Sequence, residues 1–262
     1  MDRAIAFAPR TLGGAPLLLA FPPTGGAPHP TVLWFHGFGV DKEVHRKELE
    51  QLARAGFLAI GVDAAGHGAR RMPDLDARQA APHEQALRTM VELATRTADE
   101  VPAIVRALAD EGLADAERVG LAGVSMGGYV VYKAVLVEPS IRAAVAILGS
   151  PEWPEGDSPH RHLDEFHDTA LLSITAERDE NVPPAAARGL HRRLATEHPD
   201  AAQRYMELAG AVHLMSEQHW NRAMDETLRW LTRHLVKSGT KSRWPGAGEP
   251  AAGTAVSPGS GR

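Results

Sequence analysis

Val119-Gly120-Leu121-Ala122-Gly123-Val124-Ser125-Met126-Gly127-Gly128 is the stretch that decides how this chain is read. An apolar run of strand character enters a G-x-S-x-G pattern and passes at once into a segment, Met126 to Val137, whose residues suit a helix. A serine held on so tight a strand-to-helix turn has strained backbone angles and crowds its neighbours, so the positions two before and two after it call for glycine. Gly123 and Gly127 stand there. The helix N-terminus under such a turn also offers unpaired N–H groups and the positive end of a dipole where an oxyanion would form. A phosphate-binding glycine loop or a plain turn is the competing reading. Strand and helix on either side favour the nucleophile elbow, with Ser125 as nucleophile.

Outward from this point, short apolar runs alternate with helical segments, the pattern of a mostly parallel sheet with crossover helices on both faces. The runs are Thr31 to Phe35, Phe57 to Val62, Arg118 to Ala122, Ala143 to Leu148, Ala170 to Thr175 and Arg204 to Leu208. Two earlier runs, about Arg3 to Ala8 and Ala15 to Phe21, flank Gly13-Gly14 and read as an antiparallel hairpin at the sheet edge. Eight strands are therefore expected, in an α/β architecture. Helices are expected over Lys42 to Ala55, Glu84 to Leu113, Met126 to Val137, Pro184 to Ala195 and Ser216 to Val236, with Pro102 kinking or breaking the second. Residues 1–236 are read as one domain with a short cap insert at about 150–168, and 237–262, rich in Gly, Pro, Ala and Ser, as a disordered tail.

Composition narrows the function classes. The chain has 262 residues, 44% of them hydrophobic, and a net charge of -5. No basic run lies inside the folded region, since Lys237, Lys241 and Arg243 fall in the tail, and this argues against a nucleic-acid partner. Zero cysteines exclude disulfides, thiolate metal sites and a cysteine nucleophile. The apolar patch Leu17 to Phe21 is too short for a signal peptide, and no run reaches the ~20 apolar residues that span a bilayer, so a cytoplasmic protein without membrane association is expected.

His36-Gly37-Phe38-Gly39 follows the strand Thr31 to Phe35 directly, so the chain leaves the sheet through a glycine turn close to the nucleophile. The backbone N–H groups of Phe38 and Met126 are the expected oxyanion hole, each donor contributing about 3 kcal/mol in the transition state. His36 reads as a brace for this loop rather than a general base. Together with Trp153 it is also placed among the candidate substrate-binding residues.

With Asp63-Ala64-Ala65-Gly66-His67-Gly68 between them, the His36-Gly37-Phe38 and Gly123-Val124-Ser125-Met126-Gly127 motifs resemble the α/β-hydrolase superfamily in its usual order. The similarity is to small bacterial serine esterases related to dienelactone hydrolases and to prolyl-oligopeptidase-type catalytic domains, over about residues 15–236. Dienelactone hydrolases proper carry a cysteine nucleophile where this chain has Ser125, so dienelactone is not the expected substrate. The resemblance implies an acid after the next-to-last strand and a histidine after the last. Ala176-Glu177-Arg178-Asp179-Glu180-Asn181-Val182-Pro183 resembles the family's acid loop with alanine for the usual glycine, which makes Asp179 the acid and leaves Glu177 and Glu180 as rivals. His213 follows the last strand and is the expected general base, with His219 the second choice among 13 histidines.

Other charged groups have plainer readings. Asp63 and His67 are expected to shape their loop. His160, His162, Asp164 and His167 have metal-like spacing in a polar insert, but a solvated loop is preferred and neither metal nor cofactor is expected. Arg70 and Arg71 read as an exposed pair, and Trp153 and Phe166 as either pocket lining or cap packing. The resulting expectation is a serine carboxylesterase for small soluble esters, with peptidase, amidase or thioesterase activity on the same triad as the alternative. A non-catalytic binding module on this scaffold is the rival of another class. Oligomeric state is left open by the sequence.

Overall fold

The computed structural model describes residues 4–236, and the tail expected to be disordered lies outside the described residues. Eight strands form one sheet: β1 (Ala6–Leu12), β2 (Ala15–Phe21), β3 (His29–Phe35), β4 (Leu58–Val62), β5 (Ala114–Val124), β6 (Ala143–Ile147), β7 (Ala170–Ala176) and β8 (Gln203–Leu208). Their spatial order is β1-β2-β4-β3-β5-β6-β7-β8. The β1–β2 and β2–β4 pairs are antiparallel, and every later pair is parallel. This is the α/β-hydrolase fold.

The helices are α1 (Arg46–Arg54), α2 (Leu75–Gln79), α3 (His83–Asp110), α4 (Met126–Val137), α5 (Ala185–Glu197) and α6 (Glu217–Leu235). Side chains alternate across the sheet as a period of two requires. Leu33, Phe35 and Leu121 join the core beneath α3, α4 and α5, whereas Val32, Trp34 and Ala122 join the core beneath α1 and α6. Among the described residues no helix is long and apolar enough to cross a membrane.

Several elements differ from the sequence reading; β5, for one, begins at Ala114 instead of Arg118, and α2 was not expected. The first strand runs Ala6–Leu12 instead of about Arg3 to Ala8. Gly13 and Gly14, both at positive φ (58° and 84°), make a two-residue turn that pairs Leu12 directly with Ala15, and this register pulls the strand toward the turn. The stretch expected to kink or break at Pro102 is one continuous helix, α3. Its buried residues Ala98, Val101, Ile104, Val105 and Leu108 bracket the proline, so packing holds the helix through a residue that disfavours it by about 3 kcal/mol. The segment after Val40 opens with a 3-10 turn, Lys42–His45, before α1 begins.

The chain leaves β3 toward β4 on one side and β5 toward β6 on the other, so the direction of winding reverses between β3 and β5. Loops beyond the carboxyl ends of strands at such a switch point diverge and leave a crevice where ligands bind. Phe38 follows β3 and Ser125 follows β5.

Candidate functional site

Ser125 has φ 55° and ψ −115°, a left-handed backbone carried by a non-glycine residue. Its N–H donates to Ile147 O at 2.8 Å, and its own carbonyl accepts from the N–H groups of Gly128 (2.8 Å) and Tyr129 (3.2 Å), which locks the turn onto β6 and α4. Space explains the two glycines of the motif. A Cβ on Gly123 would stand 2.3 Å from Gly127 O, and one on Gly127 would stand 2.1 Å from Phe35 O.

The serine hydroxyl donates to His213 Nε2 at 3.0 Å, and His213 Nδ1–H donates to Asp179 Oδ2 at 2.7 Å. Asp179 is buried, and its other oxygen accepts from the N–H groups of Asn181 (3.0 Å) and Val182 (2.8 Å). These two amides orient the carboxylate, and the carboxylate in turn fixes the imidazole tautomer that leaves Nε2 free to accept from the serine. The rivals lie elsewhere. Glu177 accepts from Gly210 N–H at 2.6 Å, Glu180 is exposed, and His219 pairs with Ser216 Oγ at 3.1 Å on the first turn of α6.

The loop after β3 is held from below by two histidines. His36 Nδ1–H donates to Gly37 O at 2.7 Å while Nε2 accepts from Ala64 N–H at 3.0 Å. His67 Nδ1–H donates to Ala65 O at 2.9 Å while Nε2 accepts from Gly39 N–H at 3.1 Å. Each ring accepts on one nitrogen, so each is neutral. Burial lowers the pKa of both, that of His36 to about 4. Asp63 fastens the same region by accepting from Lys42 Nζ (2.7 Å), Lys42 N–H (3.0 Å) and Ala69 N–H (2.8 Å). Burial alone would raise its pKa, but these donors hold it below the ordinary carboxylate value. Arg70 and Arg71 are spent on Glu100 and Asp76.

A cavity of about 500 Å³ opens over Ser125. Gly37, Phe38, Ser125 and His213 line it, as do residues the sequence did not single out: Met90 and Leu87 of α3, Tyr129 of α4, Leu148 and Val182. Met90 and Leu87 carried the ordinary apolar spacing of a helix, indistinguishable from core packing. Leu148 has a signal visible only in the backbone, a positive φ of 53° just past β6.

Neither residue expected to bind substrate lines this cavity. His36 has no exposed surface and lies outside the cavity wall, because its two ring nitrogens are used by the backbone beneath the loop. Trp153 also lies outside it, stacked behind Tyr129 with ring centroids 6.5 Å apart, and donates through Nε1 to Ser150 O. The insert at 150–168 packs against α4, with Phe166 edge-on to Tyr132, and contributes nothing to the cavity lining. Its histidines are dispersed among Ser158, Asp157 and Asp168. Among the described residues no cluster of three or more His, Cys, Asp or Glu side chains is arranged to hold a metal ion.

The chain was compared with known proteins. A model described as the Dienelactone hydrolase family matches residues 18–223. Esterase YjfP of Escherichia coli (strain K12) is 29% identical over 255 residues, covering 86% of this chain and 98% of YjfP. YitV of Bacillus subtilis (strain 168) is 32% identical over 126 residues, 48% of this chain, which spans 47% of that relative's length. The crystal structure of TT1662 from Thermus thermophilus shares the fold, with a TM-score of 0.72 at 21% identity, over 87% of this chain and 99% of TT1662. The family match runs from within β2 into α6 and takes in each of the loops that converge on Ser125; the chain is a hydrolase that belongs to the dienelactone hydrolase family.

Proposed function

We propose that the protein is a serine carboxylesterase that cleaves small carboxylic esters through an acyl-enzyme. The observation that carries this reading is the unbroken relay from Ser125 Oγ through His213 to buried Asp179, at 3.0 and 2.7 Å. A serine hydroxyl is a weak nucleophile until a base takes its proton, and a base in this geometry is what the relay supplies. Zero cysteines leave a hydroxyl as the nucleophile at this position.

The steps follow from the geometry. Ser125 Oγ bonds to the ester carbonyl carbon as its proton passes to His213 Nε2, and the carbonyl oxygen becomes an oxyanion. The N–H groups of Phe38, in the loop after β3, and of Met126, the first residue of α4, are the donors proposed for that oxyanion. Collapse of the tetrahedral species breaks the bond to the alkoxy oxygen, which takes the proton from His213. Water then repeats the sequence on the acyl-enzyme and releases the acid. Asp179 stabilises the imidazolium in both halves without taking up the proton itself. The ester name of the relative YjfP and a cavity in the size range of small-molecule sites support an ester of modest size as substrate.

The test compares wild type with Ser125→Ala on p-nitrophenyl acetate, butyrate and octanoate. Turnover by wild type and a fall of several orders of magnitude in the variant is the expected result. Full activity in the variant, or a wild type inert on every ester, overturns the reading.

A further inference from the structure

Exposure of the cavity wall divides it in two. Met90, Tyr129, Leu148 and Val182 are all under 9% exposed and form its deep part. Val40 (41%), Val44 (54%) and Leu214 (86%) form its mouth, and they are three of the five large hydrophobic residues that are exposed among the described residues. A fourth, Val212 (47%), adjoins His213. Single exposed hydrophobics call for no explanation, but their concentration around one opening does.

Val44 and Leu214 belong to segments 170 residues apart in sequence, and a specific contact draws these segments together. His45, next to Val44, stacks on Trp220 with centroids 6.0 Å apart and rings 25° from parallel, and packs against Trp34 at 5.4 Å. Buried Glu48 accepts from Trp220 Nε1 at 2.8 Å and faces His45 Nδ1 at 3.5 Å. The start of α1 is thereby pinned to the first turn of α6, immediately beyond Leu214. The apolar mouth rests on this packed contact.

We infer that Val40, Val44 and Leu214 form a subsite for an apolar alcohol portion of the ester, the group that leaves first. This rests on the serine esterase reading above and names the substrate class of that site. The ester's carbonyl oxygen must face the Phe38 and Met126 amides, and its alkoxy oxygen must lie within reach of His213 Nε2 to receive the proton. The group attached to that oxygen therefore passes over the residues beside His213, where Leu214 projects. The acyl chain takes the opposite direction, into the buried part of the wall. An alcohol released at the mouth also departs without crossing the acyl-enzyme.

The test holds the acyl group constant and varies the alcohol. Ethyl butyrate and hexyl butyrate pass through the same butyryl-enzyme, so the ratio of their kcat/KM values reports acylation and alcohol binding alone. Wild type is expected to favour the hexyl ester by roughly tenfold or more, and Leu214→Ser and Val44→Ser each to cut that preference several-fold, the scale of a lost apolar contact in a binding pocket. Val236→Ser, at the exposed hydrophobic residue remote from the cavity, is expected to leave the ratio at its wild-type value. Turnover of both esters with an unchanged ratio in the Leu214 and Val44 variants overturns the subsite alone. A ratio that falls equally in the Val236 variant does the same. Failure of wild type to cleave either ester overturns the esterase reading and the subsite with it.

Discussion

His67 Nε2 accepts the N–H of Gly39 at 3.1 Å, and this bond ties the loop after β4 to the residue that follows Phe38. Gly39 itself sits at φ +87°, so the loop adopts a shape that glycine permits and the histidine maintains. Phe38 packs edge-on against the same imidazole, at 5.7 Å.

His67→Phe is expected to keep the fold and lower kcat by about tenfold to a hundredfold, because it displaces the Phe38 amide proposed as an oxyanion donor. His67→Gln retains an acceptor and is expected to recover part of the loss. A steady-state comparison on p-nitrophenyl butyrate checks this. KM rising with kcat intact would mean that the loop shapes binding instead.

Asp179→Asn is expected to fold normally and to lose on the order of 10⁴ in kcat. The asparagine oxygen can still accept from Asn181 and Val182, at the 3.0 and 2.8 Å positions, which turns its NH₂ toward His213 and forces the wrong imidazole tautomer. Circular dichroism with kinetics on the same preparation separates the lost relay from lost structure.

Gly127→Ala is expected to destabilise the protein by about 3 kcal/mol or more, since the new Cβ would press on Phe35 O at 2.1 Å between two fixed backbones. The urea midpoint, or loss of soluble protein, reads the effect. A midpoint within error of wild type would refute the steric account of the motif.

Acid should weaken the fold before the carboxylates titrate. His36 and His191 are buried and neutral, with burial lowering each pKa from 6.5 to about 4. His191 Nδ1–H donates to Gln203 Oε1 at 2.5 Å, and its Nε2 accepts from Ser173 Oγ at 2.8 Å. Above pH 6.5 both folded and unfolded forms are neutral at these sites, and the histidines impose no pH dependence. Between about 6.5 and 4 the unfolded chain binds protons that the folded chain refuses, so stability falls, by about 3 kcal/mol for each histidine. Urea midpoints at pH 7, 5.5 and 4 are expected to decline, and His191→Gln to decline less steeply than wild type. Equal slopes would exclude His191 from the effect.

The sequence alone determined what local rules enforce. A glycine two residues either side of Ser125 follows from the crowding of one turn, and the alternation of β3, β4, β5 and β6 follows from burial on both faces of a parallel sheet. Chain order in the resemblance named Asp179 and His213 as candidates, and the fold brings them within hydrogen-bond distance of each other. Tertiary structure decided everything that depends on contacts between distant segments. It left His36 and Trp153 outside the lining of the cavity over Ser125, because burial beneath a loop and stacking behind Tyr129 leave no trace in residue type. It continued α3 through Pro102 without a break, where packing outweighed a local preference. It also assembled the cavity mouth from Val44 and Leu214, brought together by His45, Trp220 and Glu48 in a contact that no spacing or period in one sequence records.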